Sequence, residues 1–215
     1  MKAVIFLNGE YNYKKESVQK LIDKKDIIFC ADGGADYAYE YEIRPDYIIG
    51  DLDSISPLVL NFYKKEEVNI EKYNPEKDYT DFELILYRIE GYQKEKNIKF
   101  EKVYVLGGLG KRIDMTLNNL HLMEKYPYLV FLSENEEIFY MEKSFSLNNR
   151  KNCEFSIIPL DSSIQRLSLK GFRYELEGAD IKRKSSRLVS NVIISDKCTV
   201  NFEKGKFIVV LRKNS

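Results

Sequence analysis

The sequence predicts an α/β domain built on a doubly wound, mainly parallel sheet over residues 1–142. A smaller antiparallel, all-β, sandwich-like domain follows over residues 143–215. Three observations predict this. Up to about Glu142, short apolar runs alternate with segments of helical spacing. Beyond it, β-type runs succeed one another with no convincing helix between them. Charge divides along nearly the same line: residues 151–215 hold 13 Lys and Arg against 7 Asp and Glu, while residues 1–150 hold 21 against 27, so a neutral chain is composed of two oppositely charged modules.

The first module alternates. Ala3–Asn8 is an apolar run, and Lys14–Asp23 has helical spacing. Ile27–Cys30 is apolar and ends in the turn-like Ala31-Asp32-Gly33-Gly34. Ala35–Tyr41 reads as a helix stopped at Arg44-Pro45. Tyr47–Gly50 is a strand, and Ser56-Pro57 is the capped start of a helix with Pro at its first position. Thr80–Tyr92 is the strongest helix, with Phe82, Ile85, Leu86 and Ile89 on one face. Lys102–Leu106 is strand, Met115–Lys125 helix and Leu129–Leu132 strand. In the second module, Phe155–Leu160, Ile164–Leu169, Leu188–Ser195, Thr199–Phe202 and Phe207–Leu211 are strand-like, separated by polar and Gly-containing turns. No flexible linker separates the modules, so close packing is expected.

Composition excludes several classes. A hydrophobic share of 44% with 32% charged residues is that of a soluble globular chain rather than a disordered one. No run of eighteen apolar residues is present, and Met1–Asn8 is too short for a signal sequence. No membrane association is therefore expected. Cys30, Cys153 and Cys198 are widely spaced and lack a CxxC partner, which argues against a disulfide framework or zinc site and for a reducing, cytoplasmic setting. The basic second module lacks a separate aromatic and Lys/Arg surface, so no nucleic-acid partner is expected.

The chemistry gathers at strand ends. Gly50-Asp51-Leu52-Asp53-Ser54 directly follows a strand, where a parallel sheet places its ligands. Two residues apart, Asp51 and Asp53 would point the same way in extended chain. Converging carboxylates repel unless a cation is present, and Mg²⁺, which favours few carboxylates plus phosphate oxygens, suits them. The plainer alternative is a solvated acidic turn. Lys77-Asp78-Tyr79-Thr80-Asp81-Phe82-Glu83 opens the strong helix. Asp78 or Thr80 is its N-cap, and first-turn acids complement the helix dipole. Lys77 beside them is a candidate to neutralise a phosphate, with Asp78 or Asp81 completing a metal shell. Leu106-Gly107-Gly108-Leu109-Gly110-Lys111-Arg112-Ile113-Asp114 joins a strand to a helix. Its glycines let backbone approach an anion, and Lys111 and Arg112 add positive charge, although the spacing is not that of a Walker loop. Asp32-Gly33-Gly34 is a further strand-end turn, whose glycines suit either a tight turn or a ligand. His121 lies inside a helical pattern and reads as a packing or surface residue.

Taken in order, ADGGAD (31–36), RPDYIIGDLDSI (44–55), KDYTDFEL (77–84) and LGGLGKRIDMTLNNL (106–120) resemble the thiamine pyrophosphokinase family. Leu169–Leu176 and Ser190-Asn191 continue the likeness into the second module. The resemblance implies transfer of diphosphate from ATP to the hydroxyl of thiamine, giving thiamine diphosphate and AMP. It also implies a homodimer with active sites at the subunit interface. On that likeness Asp51, Asp53, Asp78 and Asp81 arrange Mg²⁺ and the ATP phosphates. Asp32, Gly33, Lys77, Thr80, Gly107, Gly108 and Arg112 contact the nucleotide, and Asp114 lies near the accepting hydroxyl. Tyr174, Ser190 and Asn191 help form the thiamine pocket. The chain departs from the family where Met115 replaces a frequent His, where Asp36-Tyr37 replaces a pair often basic at its second position, and where Tyr174 replaces a frequent Trp. Competing readings are a metal-dependent nucleotide or phosphate-ester hydrolase and a non-catalytic thiamine- or nucleotide-binding protein.

Overall fold

The computed structural model describes residues 1–76 and 78–213. It divides into two compact units, Met1–Glu134 and Asn135–Ser215. Glu136–Met141 therefore falls in the second unit, ahead of the change of character read at Glu142.

The first unit has six parallel strands: β1 (Ala3–Phe6), β2 (Ile27–Ala31), β3 (Tyr47–Gly50), β4 (Asn69–Lys72), β5 (Val103–Leu106) and β6 (Leu129–Leu132). Their order is β6-β5-β1-β2-β3-β4, every neighbouring pair parallel. The helices are α1 (Lys15–Leu21), α2 (Gly34–Glu40), α3 (Pro57–Lys65), α4 (Asp81–Lys96) and α5 (Ile113–Lys125). All four residues of β1 are buried, as expected of a central strand covered on both faces. Phe6 stands opposite Cys30 of β2 and Leu106 of β5. The chain first runs outward from β1 through β2, β3 and β4, then returns to place β5 and β6 on the other side. The strand order thus reverses at β1, and a crevice opens beyond the carboxyl ends there.

In this unit β4 and α4 differ most from the sequence expectation. β4 carries no apolar pattern because Asn69 and Lys72 are exposed on an edge strand. α4 continues to Lys96, four residues past the last apolar periodicity, and stops where Asn97 adopts a left-handed conformation, φ 50°.

The second unit comprises β7 (Glu136–Met141), β8 (Phe145–Asn148), β9 (Glu154–Pro159), β10 (Ser163–Lys170), β11 (Leu176–Lys182), β12 (Asn191–Val192), β13 (Lys197–Asn201) and β14 (Phe207–Arg212). Within it, β12-β9-β14-β7 and β11-β10-β13-β8 form two antiparallel layers. Phe155, Ile157, Phe207, Val209 and Leu211 of one layer share a core with Ile164, Leu167, Leu169, Cys198 and Val200 of the other, which is a sandwich. The expected strand at Leu188–Ser195 shrinks to Asn191–Val192, because Ser190 is left-handed at φ 60° and interrupts the extended chain. No described helix is long and apolar enough to cross a membrane.

Candidate active site

Three strand-end loops meet where β3 stops. Gly50 has φ +155°, and a Cβ there would lie 3.1 Å from the Asp32 Cβ and 3.2 Å from the Asp81 carboxyl carbon. A side chain at position 50 would hold those loops apart. Asp32, directly after β2, is buried, with left-handed backbone at φ 43°. Its carboxylate accepts the Ser54 N–H at 3.0 Å and the Ile55 N–H at 2.9 Å, binding the loop after β2 to the loop after β3.

That second loop is not extended. Leu52 is left-handed at φ 66°, so Asp51 and Asp53 converge through a turn rather than through strand alternation. The Asp53 N–H reaches Asp51 Oδ1 at 3.4 Å, and the Ser54 hydroxyl donates to Asp53 Oδ1 at 2.8 Å. Each of Asp32, Asp51 and Asp53 offers a carboxylate oxygen, and these oxygens lie within 4.8 Å of one another. Burial pushes the Asp32 carboxyl up to about 6, the neighbouring Asp53 pushes the same way, and the two backbone N–H groups oppose them. Asp32, read from sequence only as a nucleotide contact, is therefore the buried member of an acidic trio. The sequence signal for it was an acid directly after a strand.

The acids at the start of α4 are placed differently. Thr80 is the N-cap of a full capping box: its hydroxyl accepts the Glu83 N–H at 3.3 Å, and Glu83 accepts the Thr80 N–H at 3.4 Å. That settles the choice between Asp78 and Thr80 as cap. Asp81 is half-buried against Gly50, whereas Asp78 is exposed, and both stand outside the trio. Lys77 lies outside the described residues.

The glycine-rich loop after β5 is pinned from several directions. Gly107 has φ 64°, and a Cβ there would come 2.2 Å from the Tyr11 ring. The Gly107 N–H donates to the Tyr13 hydroxyl at 3.2 Å, and the buried Asn119 amide donates to the Gly108 carbonyl at 2.9 Å. Arg112 forks onto Asp114, Nε to Oδ1 at 3.2 Å and Nη2 to Oδ2 at 2.5 Å. Both side chains are well exposed, so the pair stabilises the fold little, but the guanidinium holds the Asp114 carboxyl below its usual range.

These loops line a cleft of about 400 Å³ that includes Asn8, Gly9, Asp32, Ser54, Thr80, Asp81, Gly107, Gly108, Lys111, Arg112 and Met115. Acids, a capped helix start, glycine backbone and two cations thus share one crevice. Asn119 was not singled out in the sequence, because an amide that braces a loop leaves no periodic signature.

In the second unit, Asn191 is buried, and its side chain brackets the Tyr174 backbone, accepting the N–H at 3.0 Å and donating to the carbonyl at 2.8 Å. Tyr174 itself is left 63% exposed. Ser190 is exposed, and its N–H donates to Ser156 Oγ at 3.0 Å.

Comparison with known proteins fits this arrangement. Residues 18–136 match the thiamin pyrophosphokinase catalytic domain. The chain belongs to the thiamin pyrophosphokinase family. Residues 144–207 match that family's vitamin B1 binding domain. The thiamine pyrophosphokinase of Bacillus subtilis is 27% identical over 195 residues, which is 87% of this chain and 88% of the relative. That of Saccharomyces cerevisiae is 23% identical over 256 aligned positions, covering 91% and 80%. The same fold occurs in solved structures of thiamin pyrophosphokinases from Geobacillus thermodenitrificans (TM-score 0.85, 21% identity, 100% and 99% of the two chains) and Candida albicans (TM-score 0.80, 24%, 99% and 89%). The acidic trio and glycine loop fall inside the catalytic match, and Tyr174, Ser190 and Asn191 inside the vitamin-binding match.

Proposed function

We propose that this chain transfers the terminal diphosphate of ATP to the primary hydroxyl of thiamine, yielding thiamine diphosphate and AMP. The observation that carries this reading is the convergence of Asp32, Asp51 and Asp53 beyond β3, where Asp32 also lines the crevice formed with the glycine loop, Lys111 and Arg112. A buried carboxyl that resists ionisation beside two other acids is a site prepared for a cation. The donor set, oxygen only and few in number, fits Mg²⁺. Asp32, Asp51 and Asp53 would hold it, with half-buried Asp81 beside Asp32 and Asp78 as a further acid in the loop before α4. Bound there, Mg²⁺ would supply charge neutralisation for the ATP tail.

The chain's own groups do the positioning. Backbone at Gly107 and Gly108 allows phosphate oxygens close approach, and Arg112 and Lys77 add positive charge, with Thr80 at the cleft wall and Asp32-Gly33 at its back. The hydroxyl oxygen of thiamine attacks the β-phosphorus in line. The bond from that phosphorus to the α-bridging oxygen breaks, AMP departs, and one proton is released. Asp114, kept anionic by Arg112, is suited to accept a hydrogen bond from the hydroxyl and orient it rather than to store its proton. Exposed Tyr174, and Ser190 and Asn191 behind it, suit the flat, cationic vitamin. An assembly of two copies with active sites at the interface, in the cytoplasm, belongs to the same proposal. Exposed Ile113 and Leu117 on one face of α5 support the association, and three free cysteines suit a reducing compartment.

The test is incubation with ATP, Mg²⁺ and thiamine. AMP and thiamine diphosphate should appear in equal amounts. Inorganic phosphate without AMP would overturn transfer in favour of hydrolysis.

A further inference from the structure

Among the described residues, Lys111 and Arg112 are the cations that line the cleft beside the glycine loop, and they are held differently. Arg112 is already forked onto Asp114. Lys111 is not: its Nζ donates to Asn8 Oδ1 at 3.2 Å and to the Tyr37 hydroxyl at 3.0 Å, and lies 5.2 Å from the centre of the Tyr37 ring. Both partners are neutral, so its charge is held in place without being cancelled. Lys111 also has a left-handed backbone, φ 51°, a conformation that glycine adopts freely and lysine does not. A disfavoured backbone at a ligand cleft is a mark of a residue kept for what its side chain does there.

The support beneath the ammonium is rigid. The Tyr37 ring stacks on Tyr11 at 3.8 Å and 11°. The Tyr11 hydroxyl donates to the Leu7 carbonyl at 2.8 Å and the Leu106 carbonyl at 3.3 Å, at the ends of β1 and β5. The strand ends thus fix Tyr11, Tyr11 fixes Tyr37, and the Tyr37 hydroxyl fixes the ammonium.

We propose that Lys111 binds the polyphosphate tail of ATP in this chain and that Tyr37 is its positioning residue. An uncharged side chain at position 37 is thereby matched by a cation delivered from the opposite loop. The inference rests on the reading that ATP occupies this cleft.

The experiment measures MgATP binding by calorimetry, with thermal melts, for wild type, Lys111→Gly, Tyr37→Phe and the double variant. Glycine relieves the left-handed backbone, so Lys111→Gly should keep its melting temperature or gain up to about 2 °C. Its Kd for MgATP should nevertheless weaken roughly tenfold, the scale of one charge-assisted hydrogen bond. Tyr37→Phe, which keeps the ring and removes the hydroxyl, should weaken binding about threefold in wild type and not at all on Lys111→Gly. Should glycine loosen the loop, Lys111→Met repeats the measurement with a comparable side-chain volume. MgATP affinity within about twofold of wild type for the Lys111 variants, or an equal Tyr37→Phe effect in both backgrounds, would overturn the inference. A wild-type protein that binds no MgATP would remove the reading of the cleft itself, and the inference with it.

Discussion

Asp32→Asn should make the protein more stable and nearly inactive. Asparagine accepts left-handed backbone readily, so the φ of 43° at position 32 is no obstacle. Raising a carboxyl from 3.8 to about 6 corresponds to roughly 3 kcal/mol set against its ionised form in the folded protein without divalent ions. The amide removes that cost. It keeps one oxygen for the Ser54 or Ile55 N–H but turns an NH₂ group toward the other, losing about 2 kcal/mol. The balance is a gain of about 1 kcal/mol at pH 8, or about 2–4 °C in melting temperature for a chain of this size. The sign follows from linkage: a raised carboxyl favours the fold while protonated, so the wild type has this stability below about pH 4 and loses it as pH rises through about 6. The advantage of Asp32→Asn should therefore appear above pH 6 and reverse near pH 4. Thermal melts at pH 4 and pH 8, with chelator and then with Mg²⁺, test this, alongside AMP formation, which should fall at least a hundredfold. A variant less stable than wild type at pH 8 in chelator, or one retaining the wild-type response to Mg²⁺, would refute the reasoning.

Other predictions follow from packing. Gly107→Ala places a methyl 2.2 Å from the Tyr11 ring and 2.5 Å from the Leu7 carbonyl oxygen, at positive φ, and should cost about 3–5 kcal/mol, read as a drop of about 10 °C in melting temperature. Asp26 is buried and accepts the Lys2 N–H, the Asp23 N–H and the Lys2 ammonium, each at 2.8 Å. Asp26→Asn should cost about 2–4 kcal/mol by urea denaturation at pH 7. Burial raises Asp26, but the Lys2 ammonium and the two N–H groups outweigh it and lower it, so its contribution is present above about pH 4 and is lost as pH falls further. The wild type and Asp26→Asn should thus draw together in stability as pH falls below about 4. Asn191→Ala leaves the Tyr174 N–H and carbonyl without their partner; it should lower stability by about 2 kcal/mol and raise KM for thiamine more than for ATP.

Much of the first unit was legible because its strands are buried on both faces and read as short apolar runs between helices. β4 was not, since an edge strand of sequence Asn-Ile-Glu-Lys needs no apolar alternation. In the second unit β7 and β8 were lost for a related reason: Glu136–Met141 opens on two acids, and Phe145–Asn148 buries only part of its side chains. Asp51 and Asp53 were legible as a pair, but strand alternation is not what brings them together. Leu52 turns the chain, and no periodicity encodes a left-handed leucine. Asp32 could be placed at a strand end, yet its union with the pair depends on two backbone N–H groups donated from a loop more than twenty residues away. Read along the chain, Tyr37 stands at a position that is often basic in the family. Only folding shows Lys111 lying over it.

The glycines at the strand ends bear on how freely this chain can vary. A side chain at Gly9 would come within 2.1 Å of the Gly107 carbonyl oxygen, and one at Gly34 within 2.2 Å of that of Phe6. At these strand ends main chain thus rests on main chain, with hydrogen as the only spacer. Libraries that randomise the surrounding walls should yield many folded proteins with altered preference, whereas any library that opens these glycines should return almost none.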